Sequence, residues 1–151
     1  MVLERFGELH RKAARAELFD WRADPRGRLA EVIILDQVSR NIHRGCRLAF
    51  ENDVLALALA QEAVAAGADA ALPVEERSFL YMPYMHSESR VIHEVAVRLF
   101  RDHTTKDSHD FELRHKAIID RFGRYPHRNA MLSRESTPEE LAFLSEPGSS
   151  F

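Results

Sequence analysis

Asp36, Arg40 and Arg44 stand four residues apart in the stretch RLAEVIILDQVSRNIHR, Arg28 to Arg44, with Gln37 and Asn41 beside them. On a helix that spacing puts all five groups on one face. Guanidinium forks at Arg40 and Arg44 suit a carboxylate or phosphate, and Asp36 and Gln37 are placed to fix their orientation. The plainer reading is a solvated helix end, where late arginines favour the helix macrodipole. Both readings stay open on spacing alone.

Two further polar stretches exceed what helix packing requires. His86-Ser87-Glu88 follows Pro83, and a histidine beside a carboxylate can act as general base or metal ligand. Ser87 as a helix N-cap and Glu88 in a first turn explain two of these residues without any ligand, which leaves His86 over. The third stretch, Arg124-Tyr125-Pro126-His127-Arg128-Asn129, continues to Arg134 and Glu135. His127 is a second candidate base, and Arg124, Arg128 and Asn129 are candidate ligand contacts on a proline-containing connection. Alternatively they satisfy exposed helix-end carbonyls.

Other chemistry is disfavoured. His93-Glu94 lacks the second histidine of a metalloprotease helix motif, and the eight histidines include no i,i+4 pair on one helix, so no metal site is assigned. No phosphate-cradling glycine loop or G-x-S-x-G elbow occurs, and no cofactor is implied. His115 falls on an apolar face with Phe111, Ile118 and Phe122, the position of a hydrogen-bonded core histidine. The single Cys46 allows no internal disulfide.

The elements that must position these groups are helical. Leu29, Val32, Ile33, Ile34 and Leu35 make the first half of the central stretch apolar all round, as in a core helix. Asp24-Pro25 starts that helix and Gly45 ends it. Other helices are expected from Val2 to about Leu18, from Asn52 or Asp53 to Ala66, from Pro73 until Pro83 kinks or stops it, and from Ser87-Glu88 onward. In the last of these Glu94 and Arg98 form an outward i,i+4 pair. Phe111 to Phe122 marks a further helix, and Thr137-Pro138-Glu139-Glu140 has the form of a capping box. The polar run DHTTKDSH, Asp102 to His109, is expected as a loop.

About seven helices joined by short connections make residues 1–151 a single all-α domain, an irregular right-handed array or a compact bundle. With 151 residues and 45% hydrophobic content the chain can bury an ordinary core. A net charge of −3 argues against non-specific nucleic-acid binding. No apolar run reaches membrane-spanning length, and the N-terminus lacks a signal-peptide core, so a cytoplasmic protein is expected.

LDQVSRNIHRG (Leu35 to Gly45), FLYMPYMHSES (Phe79 to Ser89), and DRFGRYPHRN followed by RESTPEELAFL together resemble a bacterial family known as domain of unknown function 924. The resemblance runs from about Glu4 to the final PGSSF. It implies an all-helical, tetratricopeptide-like superhelical arrangement and supplies no activity. The family pattern covers Asp36, Gln37, Arg40, Asn41, Arg44, His86, Ser87, Glu88, Arg124, His127, Arg128 and Asn129. Many members have Phe-Pro in place of Val38-Ser39 and Glu in place of Met85, so a second carboxylate beside His86 is lost here. Members usually carry an aromatic-rich segment ahead of Met1. Its absence implies a truncated reading of the gene, a shortened form or a natural variant. It also implies an apolar groove near the first helix, uncovered or filled by a partner such as a second copy.

Three functions follow. In a binding module the stretches converge on one hollow, where Arg40, Arg44 and Arg128 hold a small anionic molecule or peptide carboxylate. An enzyme acting on an anionic substrate would use His86 or His127 as base, with Glu88 or Asp36 as orienter. A scaffold would use the same groups as a buried network and leave no cavity.

Overall fold

The computed structural model describes residues 2–151, with side chains from Glu4 onward, and its helices begin and end largely at the residues that cap helices in general. α1 spans Val2–Ala14 and stops short of Leu18, because Ala16 adopts a left-handed φ of 56°. A 3-10 turn, Phe19–Ala23, leads to α2, Pro25–Ile33. Asp24 caps α2 by accepting from the Gly27 N–H, with Pro25 in the first turn, where a missing N–H costs nothing.

α2 does not simply run on. Residues Ile34–Val38 form a π turn, and α3 continues as Ser39–Ile42 before His43 and the left-handed Gly45 end the rod. The wider turn rotates the residues that follow relative to those before it. The rest comprises α4 (Asp53–Ala65), α5 (Val74–Met85), α6 (Arg90–His103), α7 (Lys106–Phe122) and α8 (Pro138–Leu144). With the α2–α3 run taken as one rod, the described residues form seven rods.

The core grows from the apolar half of that rod. Leu29 and Val32 meet Ala60 and Ala63 of α4, whose small side chains let the two helices approach closely. Leu80, Tyr81 and Tyr84 of α5 and Ala96 and Phe100 of α6 close the same cluster. Ile34 and Leu35 face the other way, onto Ala13, Leu18 and Ala56. A smaller cluster of Ile118, Ile119 and Tyr125 anchors the C-terminal third.

Three expectations need correction and a fourth is narrowed. The run Asp102 to His109 is not a loop: α6 extends to His103, α7 starts at Lys106, and only Thr104 and Thr105 connect them. Thr105 caps α7 through the Ser108 N–H, and the polar residues around it are the outer faces of two helix ends. Of the two outcomes expected at Pro83, a kink or a stop, the stop is excluded: α5 continues to Met85 with Pro83 buried inside it. α6 is capped by Ser89, accepting from the Ile92 N–H, two residues beyond the expected start at Ser87. Glu94 pairs across helices with Lys116 at 2.9 Å and not along its own helix with Arg98. The capping box at Thr137 is present, with reciprocal bonds to Glu140.

Beside α1, Phe19 is exposed while Phe6 and Leu9 are half-buried. The part of the expected groove that involves Val2 and Leu3 lies outside the described side chains.

Gly27 offers a sharp test of the α2 entry. A Cβ built there would stand 2.0 Å from the Trp21 carbonyl oxygen, a backbone atom that can move only with its turn. Glycine to alanine in a helix normally stabilises by roughly 0.5–1 kcal/mol. Gly27→Ala is expected to destabilise instead, by about 1–3 kcal/mol as an overpacked site. Urea denaturation of the two proteins reads the sign directly.

Candidate functional site

Burying a carboxylate requires compensation, and Asp36, 1% exposed, shows what compensates it. The π turn aims its side chain at the C-terminal end of α5, where Nδ1 of His86 lies 2.7 Å from Oδ1. An ionised carboxylate only accepts, so Nδ1 carries the proton in this bond and Nε2 is left for other partners. The Gln37 amide donates to Oδ2, and Arg40 Nη1 donates to Oδ1 at 3.2 Å. Burial alone would raise the Asp36 pKa. His86, Arg40 and Gln37 outweigh it and hold the carboxyl down at about 2.

Arg40 carries the connection onward. It grips Asp53, the first residue of α4, with two bonds of 2.8 and 2.9 Å. Burial opposes its charge, but Asp36 and Asp53 more than restore it and the guanidinium pKa is raised. Arg128 lies between the rings of Phe50 and Tyr125, at 4.6 and 4.7 Å from their centroids. It donates to the His86 carbonyl oxygen at 2.9 Å, while its buried Nε has no partner among the described residues.

These groups border a cavity of about 590 Å³, within the range of small-molecule sites. The α2–α3 rod and the turn after it contribute Gln37, Arg40, Asn41 and Arg44. His86 comes from the end of α5, and His127 and Arg128 from the 3-10 turn Pro126–Arg128. Phe50, Met82, Phe111, His115, Tyr125 and Phe151 supply an apolar and aromatic lining. Three segments distant in sequence therefore meet at one hollow. Arg44 is exposed and makes a single 3.3 Å bond to Asn41 Oδ1, so most of its donors are unused.

Not every expected residue reaches the hollow. Asp36 lies behind His86 and acts through it. Glu88 turns away to accept two bonds from Arg134 and one from the Tyr125 N–H, which together overcome the cost of its burial and lower its pKa. Arg124 is paired bidentately with Glu140, and Asn129 donates to the same carboxylate and to Ser136. These three side chains lock the segment after α7 onto α8. Glu88 is therefore not the orienter of His86, and Arg124 and Asn129 do not line the cavity.

The two candidate bases separate in the same way. His86 has its carboxylate. His127 has none within hydrogen-bond distance among the described residues: its Nδ1 is buried without a partner, and burial together with the Arg128 charge pushes its pKa down to about 4. His115 is hydrogen-bonded through Nδ1 to the Phe111 carbonyl at 2.8 Å, as a core histidine should be, and its ring nevertheless faces the cavity. Asp53 and Phe50 carried no signal in the sequence beyond helix capping and hydrophobicity. Among the described residues no three His, Cys, Asp or Glu side chains are grouped to hold a metal ion, and no helix is long and apolar enough to cross a membrane.

A family model described as a bacterial protein of unknown function (DUF924) matches residues 1–148. The chain belongs to the DUF924 family. It is also similar to the solved structure of a protein of unknown function from Agrobacterium tumefaciens, with a TM-score of 0.91 and 37% identity. That match covers 95% of this chain and 81% of the other. No curated protein matches. The all-helical architecture of this DUF924 chain is thus shared with a relative, and neither comparison carries an activity.

The Asp36 carboxyl gives the site a pH signature. It binds its proton more weakly folded than unfolded. Its stabilisation is therefore complete above the ordinary carboxylate pKa of about 4 and is withdrawn as pH falls towards about 2. The shift corresponds to about 2 kcal/mol at neutral pH. Asp36→Asn is expected to be less stable at pH 7 and to lose less stability than the parent between pH 4 and 2. Urea midpoints across that range measure both.

Proposed function

We propose that the cavity binds a small organic anion, with Arg44 and Nε2 of His86 as its principal polar contacts. The observation that carries this reading is the pairing of spare donors with a surplus of positive charge. Arg40, Arg44 and Arg128 border the hollow, and Asp36 and Asp53 are the carboxylates bonded to its lining. Arg40 spends its charge on those carboxylates, whereas Arg44 does not. A guanidinium suits a carboxylate or phosphate because its paired donors match both oxygens at once. In this reading the successive α4 to α7 helices stack in a tetratricopeptide-like manner, with the hollow on the concave side. A cytoplasmic setting suits the exposed, unpaired Cys46.

A second reading rests on one specific contact. His86 bonded to Asp36 at 2.7 Å has the geometry of an oriented general base, and the residue lines the cavity where a substrate would sit. The protein would then be a hydrolase or transferase acting on an anionic substrate, and Arg44 would hold the substrate's charge. The scaffold reading is disfavoured by the open hollow, although the Asp36–Arg40–Asp53 network is the kind of structure it required.

Arg40→Ala is a poor test, because it takes from Asp53 its two shortest bonds and from the buried Asp36 one of three donors, and is expected to cost roughly 3 kcal/mol of stability. Arg44→Ala is a clean one. A thermal-shift screen of phosphorylated and carboxylated metabolites should raise the melting temperature of the parent protein. Arg44→Ala, with an unchanged melting temperature alone, should bind the hits about tenfold or more weakly, the worth of a charge-assisted hydrogen bond. Equal responses from both proteins would place the anion elsewhere. Turnover of any hit that falls by about 10²–10⁴ in His86→Gln would select the enzyme reading.

A further inference from the structure

The hollow has a second character besides its charge. Its wall from α7 and the tail is aromatic, and the tail itself occupies it. Gly148 turns the chain with a φ of 78°, and the buried Ser149 donates to the Leu144 carbonyl at 3.2 Å. Phe151 is thereby brought flat onto His115, with ring centroids 3.7 Å apart and planes inclined by 22°. Its ring also meets Phe111 at 5.5 Å and His127 at 6.1 Å in edge-to-face contacts.

The shelf under Phe151 is rigid and neutral. Nδ1 of His115 is fixed to the Phe111 carbonyl, and burial pushes the ring's pKa down to about 3, so the imidazole is uncharged at neutral pH. His127 is neutral for the same reason. Phe151, by contrast, is 50% exposed and is held by ring contacts. A flat face that accepts one benzyl ring with half its surface in solvent can accept another that enters more deeply.

We propose that His115, Phe111 and His127 form an aryl subsite, that the ligand of this cavity is an aryl-bearing organic anion, and that Phe151 is a built-in occupant which the ligand's ring displaces. The inference rests on the anion-pocket reading and adds the part of the ligand that reading leaves undefined. The acid group goes to Arg44 and His86, and the ring goes to the place where Phe151 lies. Phe151 then sets the affinity threshold, because each binding event must first lift it off His115.

Two acids that differ only by a ring separate the claims: 3-phenylpropanoate and propanoate, titrated into the full chain and followed by NMR. The Gly45 amide reports the basic wall and the His115 ring protons report the aryl wall. The parent protein should show both acids at Gly45 and only 3-phenylpropanoate at His115. Phe151→Ala should bind 3-phenylpropanoate roughly threefold to tenfold more tightly, the range of a ring-stacking contact, and bind propanoate unchanged. Phe151→Trp, which keeps a larger flat ring on the shelf, should bind the aryl acid more weakly than the parent. Equal affinities for the two acids, or no gain in Phe151→Ala, would overturn the aryl subsite and leave the anion pocket standing. Silence at Gly45 with both acids in every variant would overturn the anion pocket and this inference together.

Discussion

A carboxylate buried to 1% exposure is the constraint from which the rest of the site follows. Left alone, the Asp36 charge would be expelled by the low polarisability of its surroundings or would take up a proton. It stays ionised because three side chains each lend it a donor: Gln37 and, one turn on, Arg40 from its own rod, and His86 from the end of α5. Each donor is fixed by the contact it makes. Arg40 is committed to Asp53 as well, which ties the start of α4 into the same knot. The π turn at Ile34–Val38 belongs to this arrangement, since it sits where the rod changes from core-facing to cavity-facing residues. Its wider turn is compatible with a side chain aimed away from the regular helical sequence of faces.

A second, drier pair holds the floor beneath. His93 and Glu112, both fully buried, lie 2.6 Å apart, and the other nitrogen of His93 donates to the Ser87 carbonyl at 2.7 Å. Burial raises the Glu112 pKa against the pull of His93. The pair fixes the turn after His86 to α6 and α7. Tyr125 completes the floor by donating to the Met85 carbonyl. The imidazole of His86 is thus held at its ring by Asp36 and at its backbone by Arg128, with His93 bonded to the next residue. A base or ligand contact needs that kind of support to keep its free nitrogen in one place.

Much of this was legible in the sequence, for identifiable reasons. The α2–α3 rod announced itself because an apolar run on all sides has no stable place except a core, and a polar half on the same helix must then emerge somewhere. Asp36 and Arg40 meet as their i,i+4 spacing implied, because helical spacing is a local property. What spacing does not encode is which partners tertiary contacts provide. Glu88 and Asp36 were equal candidates to orient His86 until the fold sent Glu88 to Arg134. Arg124, Asn129 and Arg134 had the composition of a site and became the clasp of the C-terminal segment, since guanidinium and amide groups serve a carboxylate equally well whether it belongs to a ligand or to Glu140. The loop expected at Asp102 to His109 failed for a related reason. Polar residues mark solvent exposure, and a helix surface is as exposed as a loop, so the Thr105 cap was the feature that mattered. Phe50 and Phe151 could not be found at all, because an aromatic residue that lines a cavity has the same sequence signature as one that fills a core.

The electrostatics of the hollow can be weighed against those of the whole molecule. The chain carries a net charge of −3, which at a distance repels anions. That repulsion is spread over the surface and fades within a Debye length of about 8 Å at physiological ionic strength. Inside the hollow the local balance is different. Arg40 and Arg128 are bonded and partly neutralised, but they are also fixed, so their residual field does not relax when solvent leaves. Arg44 stands at the edge with its charge uncommitted. The buried residues therefore create a polarised surface, and an exposed one offers the contact. Recognition of an anion in such a place depends less on the total number of charges than on how many have already been satisfied by the protein. In this cavity the fold satisfies the carboxylates first and leaves positive charge over.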